Sequence, residues 1–428
     1  MNLTRVTGRY FRAAFGTLLA AGAASAWSAP LEPLWGLVAK EKPAVLETMR
    51  ELVSIESGSS DIEGLERMAG VVAKRLALLG AKVETLESRI EGERPPGAPA
   101  KIGSMVRATF SGTGTKMILL LAHMDTVYPR GMLAQQPFRI DGSRAYGLGI
   151  ADDRHGMAVI FHAIALLKAI DFKEYGTLTV LINADEEIGS PGSRALITRL
   201  GAEHDAVLSF EGAGFQTDQL RLATSGTASA ILTVRGRASH AGAAPERGVN
   251  ALYELAHQIM QARDLSRAET GVKLNWTMAR AGIVRNMIPP GAVAEADIRV
   301  ERVADLDGVE QQLRERIKNK LLADSTVELE FRRGRPPLQP TEAARTLGNR
   351  AQAIYAELGK QLVVTEKSPG GGTDAAYASL KTTSPVIEGF GLQGFGSHST
   401  DSEYVLIDSI EPRLYLAVRM IMEISRAR

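Results

Sequence analysis

Six acids and two histidines in this chain stand where they could act on one ligand. His123-Met124-Asp125 follows the apolar run Met117 to Ala122, and Asp152-Asp153 precedes an apolar helical pattern. Glu186-Glu187 follows the run Leu178 to Ala184, Glu211 follows Ala206 to Phe210, and the loop Gly396-Ser397-His398-Ser399 lies beyond Pro385 to Phe390. In an extended segment residues i and i+2 point the same way, so of His123 and Asp125 one can bind a metal while the other orients it. Carboxylates gathered in one crevice raise each other's pKa unless a cation neutralises them. Two zinc ions bring four positive charges, three ligating carboxylates remove three, and a bridging hydroxide removes the last. Cysteine is absent, which excludes thiol nucleophiles, thiolate metal sites and disulfides and leaves His, Asp and Glu as ligands. Any one of these acids alone would read as a helix cap or a solvated loop residue. Together they all fall at predicted strand ends or at the helix start that follows, where open α/β sheets bind ligands.

The elements that must position them alternate between helix and strand. Apolar residues recur at helical spacing over Pro43 to Val53, Ile62 to Leu79 (with Asp61 as its cap), Gly156 to Ile170 and Thr341 to Leu358, and a closing helix starts at Ile410. Strand patterns cover Lys82 to Leu86, Met105 to Phe110, Met117 to Ala122, Leu178 to Ala184, Ala206 to Phe210, Gln361 to Thr365 and Pro385 to Phe390. Several are apolar on both faces, so the fold class is α/β: a three-layer catalytic domain, its sheet covered by helices on each side. Near Ser225 the pattern changes to strand (Ala228 to Val234), helix (Ala251 to Ala262), two strands (Val272 to Ala279, Ala292 to Val300), helix (Leu306 to Leu321) and strand (Val327 to Phe331). That order predicts a ferredoxin-like split βαβ domain inserted at 225–334, with the catalytic domain formed by 30–224 and 335–428. At 428 residues the chain is long enough for two such domains.

Composition narrows the function. Apolar residues at 45% and charged residues at 23% fit a globular protein, and a formal charge of +1 argues against nucleic-acid binding through bulk positive charge. Arg5, Arg9 and Arg12, the weakly apolar stretch Ala13 to Ala23 and Ala24-Ser25-Ala26 have the order of a secretory signal peptide over residues 1–26. Its removal takes away three arginines and no acids, bringing +1 to −2. The expectation is export, to a bacterial periplasm, with no membrane span after cleavage.

The signatures His123-x-Asp125, Gly149-Ile150-Ala151-Asp152-Asp153, Asp185-Glu186-Glu187, Ser209-Phe210-Glu211 and Ser239-His240-Ala241-Gly242 resemble the di-zinc aminoacylase and carboxypeptidase G metallopeptidases. Ala238 to Pro245, Gly371-Gly372-Thr373-Asp374-Ala375-Ala376-Tyr377 and Gly391 to Gly396 are most similar to the bacterial glutamate carboxypeptidases (folate hydrolases) of that family. The resemblance implies two zinc ions per chain, one on His123 and Glu211 and the other on Glu187 and His398, bridged by Asp152. It implies that Asp125 fixes the tautomer of His123, and that Glu186 is the general base toward the metal-bound water. It gives His240 the role of oxyanion stabiliser. Arg299 and Arg335 resemble the family's contacts to substrate carboxylates and Asn286 its polar substrate contact, while the Gly370 to Gly372 turn, with Gly371 at its centre, is suited to bring backbone N–H groups close to the same carboxylate. His155, His162, His204 and His257 match no ligand position and are expected to be structural or solvated.

Three departures concern the subfamily. Arg154-His155 stands where Lys-Gly is common, Ser368-Pro369 where the glutamate carboxypeptidases have Arg-Thr, and Ser397 where an aromatic precedes the ligand histidine. The implied activity is hydrolysis of the amide bond to a C-terminal glutamate in folates and other N-acyl-glutamates. The alternatives are an N-acyl-amino-acid amidase of other side-chain preference and a non-catalytic binder on the same fold. The implied partners are a small N-acyl-amino-acid substrate and a second copy of the chain, with the exposed edge of the inserted sheet at a two-fold contact and His240 acting in trans.

Overall fold

The computed structural model describes residues 29–90, 94, 98–399 and 401–427, so the expected signal segment lies outside the described residues. An eight-stranded mixed sheet forms the centre, in the order Lys82–Leu86, Met105–Ser111, Thr177–Asn183, Met117–His123, Ala206–Ser209, Val386–Glu388, Gln219–Arg221, Val363–Thr365. The strands Thr177–Asn183, Met117–His123, Ala206–Ser209 and Val386–Glu388 are neighbours and mutually parallel. Their carboxyl ends therefore open on the same edge of the sheet, and the segments carrying His123, Glu186-Glu187 and Glu211 leave from that edge.

Side-chain alternation builds the layers. Ile118 and Leu120 turn to one core with Met157, Ile160, Leu414 and Ile421, while Leu119 and Leu121 turn to another with Ile197, Leu200 and Ala376. One face is thus covered by helices Leu34–Val53, His155–Ala169 and Ile410–Arg426, the other by Arg194–Glu203 and the short helix Ala375–Ala378. Helix His155–Ala169 is buried on nearly every side, which its continuous apolar sequence requires.

A second, four-stranded sheet spans the inserted segment in the order Lys273–Ala281, Gly291–Val300, Gly226–Arg235, Thr326–Arg333, antiparallel throughout. Ala228, Ala230, Leu232 and Val234 face inward at every second position. Helices Ala251–Gln261 and Val303–Arg316 cover that face. The strand Lys273–Ala281 forms one edge and leaves most of its side chains exposed. The segments entering and leaving this domain run side by side, with the Thr227 amide donating to the Arg335 carbonyl at 2.8 Å.

Several elements differ from the sequence expectation. The first helix begins at Leu34 and runs through Pro43. Burial of Leu34 and Val38, and the edge contact of Trp35 on Tyr415 at 5.6 Å, offset the hydrogen bond that proline cannot make. The helix from Val303 ends at Arg316 rather than Leu321, because the buried carboxylate of Glu254 accepts from the Leu321 and Leu322 amides at 3.2 and 2.7 Å. Helix Arg194–Glu203 and a third small sheet, ordered Gly394–Phe395, Tyr404–Leu406, Arg144–Tyr146, Arg139–Asp141, had no counterpart in the expectation.

Candidate metal centre

His123 is the last residue of its strand and Asp125 lies just beyond it. The buried Asp125 carboxylate is 3.3 Å from His123 Nδ1 and accepts from the Glu186 and Glu187 amides at 3.0 and 3.1 Å and from Ser59 Oγ at 2.8 Å. It thus holds the imidazole with Nδ1 turned inward and fixes the Glu186-Glu187 turn in the same act. His123 Nε2 then faces Asp152 Oδ1 at 2.9 Å and Glu211 Oε1 at 3.6 Å. The other Asp152 oxygen is 3.3 Å from His398 Nε2, and His398 Nε2 is 3.1 Å from Glu187 Oε2. Asp152 therefore offers one oxygen to each histidine, as a bridging ligand does. The donor atoms form two groups, His123 with Glu186 and Glu211, and Asp152 with Glu187 and His398, each within 4.8 Å.

Protonation follows from crowding. Burial pushes Glu186 up to about 8, against the opposing charges of Arg335 and His123. Burial likewise raises Glu187 and Glu211, and the Asp152 charge adds to both. Bonds to Asp152 and Glu187 raise His398 to about 10. Burial opposes a charge on His123, but the bonds to Asp125 and Asp152 prevail and raise it. The cluster thus retains protons wherever positive charge is wanted, which is where cations would sit. Glu187 Oε1 is buried without a hydrogen-bond partner. An orphaned oxygen among two imidazoles and three carboxylates fits a nitrogen–oxygen site of the zinc type.

Of the expected substrate-contact residues, both arginines have acidic partners within the chain. Arg335 is buried and paired with the Glu186 carboxylate, and its Nη2 lies 3.7 Å from Asp374 Oδ1. It also donates to the Glu186 and Gly372 carbonyls at 2.7 and 2.6 Å and to Ser190 Oγ at 3.2 Å, leaving only Nε without a partner. Arg299 is paired with Asp297 at 2.9 Å. For Arg335 the physical reason is burial, since a guanidinium held away from bulk water is stabilised by a carboxylate; the Arg299 pair is half-exposed. A Cβ at Gly371 would meet nothing within 4 Å, so the turn is open there, and Lys273 Nζ lies 3.3 Å from where a Cβ of Gly370 would be. Asp374 and Lys273 were not singled out in the sequence, because their partners are distant along the chain.

His240 and Asn286 come together on the inserted domain, where the Ala241 amide donates to the Asn286 carbonyl at 2.9 Å. His240 is exposed, and its Nδ1 accepts from the Gly242 and Ala243 amides at 3.1 and 3.0 Å, which leaves Nε2–H outward. Neither residue belongs to the two donor groups of this chain. The other histidines have structural partners: His155 with the Ala151 carbonyl and Leu392 amide, His162 with Thr48 and Glu41, His204 with Leu200 and Thr179, His257 with Asn319.

Comparison with known proteins gives the likenesses of the whole chain. The profile of peptidase family M20/M25/M40 matches residues 119–423. The chain is 44% identical over 388 residues to carboxypeptidase G2 of Pseudomonas sp. (strain RS-16), covering 91% of each protein. It is 29% identical over 323 residues to succinyl-diaminopimelate desuccinylase of Stenotrophomonas maltophilia (strain R551-3), covering 71% of this chain and 83% of that one. Among solved structures, aminopeptidase PepT of Bacillus cereus superposes with a TM-score of 0.75 at 21% identity, covering 90% of this chain and 99% of that one. The metallo-carboxypeptidase Sso-CP2 of Sulfolobus solfataricus does so with 0.70 at 17% identity, covering 90% and 99%. These two likenesses concern the fold.

Proposed function

The chain belongs to peptidase family M20/M25/M40, and from that premise we propose that it is a di-zinc carboxypeptidase releasing C-terminal glutamate from N-acyl-glutamates, folates among them. The observation that carries the hydrolase is the position of Asp152, with one oxygen toward His123 and the other toward His398. His123, Asp152, Glu187, Glu211 and His398 would hold the cations, which would supply Lewis-acid polarisation of the scissile carbonyl. Asp125 keeps His123 in its ligating tautomer. Glu186 accepts a proton from the attacking water and returns it to the departing amine. The glutamate preference is supported by similarity to carboxypeptidase G2 and by the cations Arg335 and Lys273 beside the Gly370 to Gly372 turn, with Arg299 opposite Lys273 in the strand register.

A second reading has an observation in its favour. Arg335 and Arg299 each already have an acidic partner, which suits an N-acyl-amino-acid amidase whose substrate brings fewer carboxylates. A panel of folates and N-acyl-amino acids, assayed with zinc restored after chelation, separates the two. Glutamate-terminated substrates should lead; faster turnover of a neutral or basic terminal residue would remove the glutamate preference and leave the hydrolase.

Export and dimerisation belong to the same proposal. The signal-like residues 1–26 direct the chain to a periplasm, and N-terminal sequencing of the mature protein tests this. Two copies pair through the inserted domain. Leu252, Tyr253 and Met260 on one helix, and Met278, Ile283 and Val284 along the edge strand and the turn after it, are exposed and apolar, which supports a covered face.

A further inference from the structure

Behind the metal centre lies a second buried polar cluster with no role so far. The carboxylate of Glu403, fully buried, accepts from the Gly149 amide at 2.9 Å and the Ala151 amide at 2.7 Å. These amides flank Ile150 in the loop that delivers Asp152. Glu403 Oε2 also lies 2.6 Å from Tyr128 Oη, and the same phenol oxygen lies 2.8 Å from the carbonyl of Ser399, the residue after His398. The phenol thus ties Ser399 to Glu403 within the His398 loop, and the Glu403 carboxylate carries the link on to the Asp152 loop.

The proton count at this phenol is decisive. Tyr128 has a single O–H, and both of its neighbours are acceptors if Glu403 is ionised. The two contacts are hydrogen bonds together only if Glu403 brings a proton of its own: Glu403 O–H donates to Tyr128, and Tyr128 O–H donates to Ser399. When that proton leaves, Tyr128 turns to the carboxylate, where the charge-assisted bond is stronger, and the Ser399 carbonyl loses its donor. We propose that Glu403 is a positioning residue whose protonated form, relayed by Tyr128, holds the His398 loop against the Asp152 loop and so assembles the Asp152–Glu187–His398 cation site.

The surroundings favour the neutral acid. Burial pushes Glu403 up to about 7, against the bonds from Tyr128, Ala151 and Gly149, and the Asp152 charge adds to the rise. The cation facing it is Arg154, buried at the start of the following helix and committed to the Met124 and Ile55 carbonyls and Ser57. Tyr128, raised by burial and by the Glu403 charge, keeps its proton throughout. Gln136 Nε2 meets only the Glu403 backbone carbonyl, and Asp401 on the same loop is bonded to Ser399 Oγ.

The inference rests on the two-cation reading of the site, and its test reads metal binding rather than turnover. Zinc affinity at both sites is titrated from pH 6 to 9 for the wild type, Glu403→Gln, Tyr128→Phe and the double variant. In Glu403→Gln an amide nitrogen in the place of Oε2 donates to Tyr128 at every pH and gives up the Gly149 bond that Oε2 accepts, a loss that does not vary with pH. The ratio of its second-site affinity to that of the wild type should rise about tenfold from pH 6 to pH 9, the size of loss typical when a group supporting a ligand is removed. Taking the ratio of variant to wild type cancels the proton release of the ligands themselves. Tyr128→Phe should lose about tenfold at pH 6 at the second site only. Adding Glu403→Gln to it should then bring no pH dependence of its own. A ratio that stays flat with pH, or wild-type second-site affinity in Tyr128→Phe, overturns the inference while the metal reading stands. A wild-type chain taking up no second cation overturns both.

Discussion

At the residue scale, the pair Glu186-Glu187 separates two jobs through one backbone turn. Both amides are held by Asp125, so the carboxylates leave in different directions, Glu187 toward His398 and Glu186 toward Arg335. Glu186→Gln keeps the shape and cannot take a proton; it should retain the cations and lose about a hundredfold to ten-thousandfold in kcat. Wild-type turnover in the fully loaded variant would exclude Glu186 as the base. Asp152→Ala should lose metal content as well as activity, since both histidines share that carboxylate. The pKa pattern gives a further expectation for the chelated protein. Glu186 at about 8, His398 at about 10 and a raised Glu211 all hold protons more tightly folded than unfolded. Their contribution to stability is complete below the unfolded pKa and is lost as pH rises through the folded one. The Tm of the chelated chain should therefore fall between pH 5 and 9, and zinc should recover most at the alkaline end. A chelated Tm that rises over this range would contradict the burial-driven shifts.

At the element scale, the helix Arg194–Glu203 shows how packing overrides propensity. Gly201 lies near its end, and a Cβ there would come 2.0 Å from the Ala378 carbonyl oxygen of the short helix beside it. On an isolated helix Gly→Ala stabilises by about 1 kcal/mol. Here the close approach reverses the sign, and Gly201→Ala should destabilise by about 1–3 kcal/mol in urea unfolding, as overpacking does. The same crossing sets the Ala375–Ala378 helix, whose preceding Asp374 is near Arg335, so kcat/KM should fall with it. The sequence did not announce this helix, because a glycine and a short, weakly amphipathic face resemble a loop until Ala378 is beside them.

For the whole molecule, the decisive question is where His240 works. In one chain it sits exposed beside Asn286, with Nε2–H free to serve an oxygen elsewhere. If it serves the partner's site, co-expressed Glu186→Gln and His240→Ala chains should form a mixed dimer with one intact site, and activity returns. If it serves its own site, each site lacks one residue and both stay impaired. The measurement is turnover of a verified mixed dimer against either parent.

The sequence alone determined much of the elements and the ligand types. Apolar runs of strand length and helical spacing follow from local side-chain chemistry, so the central strands and the inserted β-α-β-β-α-β order were legible within a few residues of where they form. That His123, Asp152, Glu187, Glu211 and His398 gather in one crevice was legible because each follows or precedes such a run. Only the tertiary structure decided which charges meet. That Arg335 is paired with Glu186, that Glu254 ends a helix about 60 residues further along the chain, and that Glu403 reaches Gly149 and Tyr128 all depend on contacts between distant segments. Periodicity reports how one segment faces a core; it carries no information on which buried charge from another segment will need neutralising there.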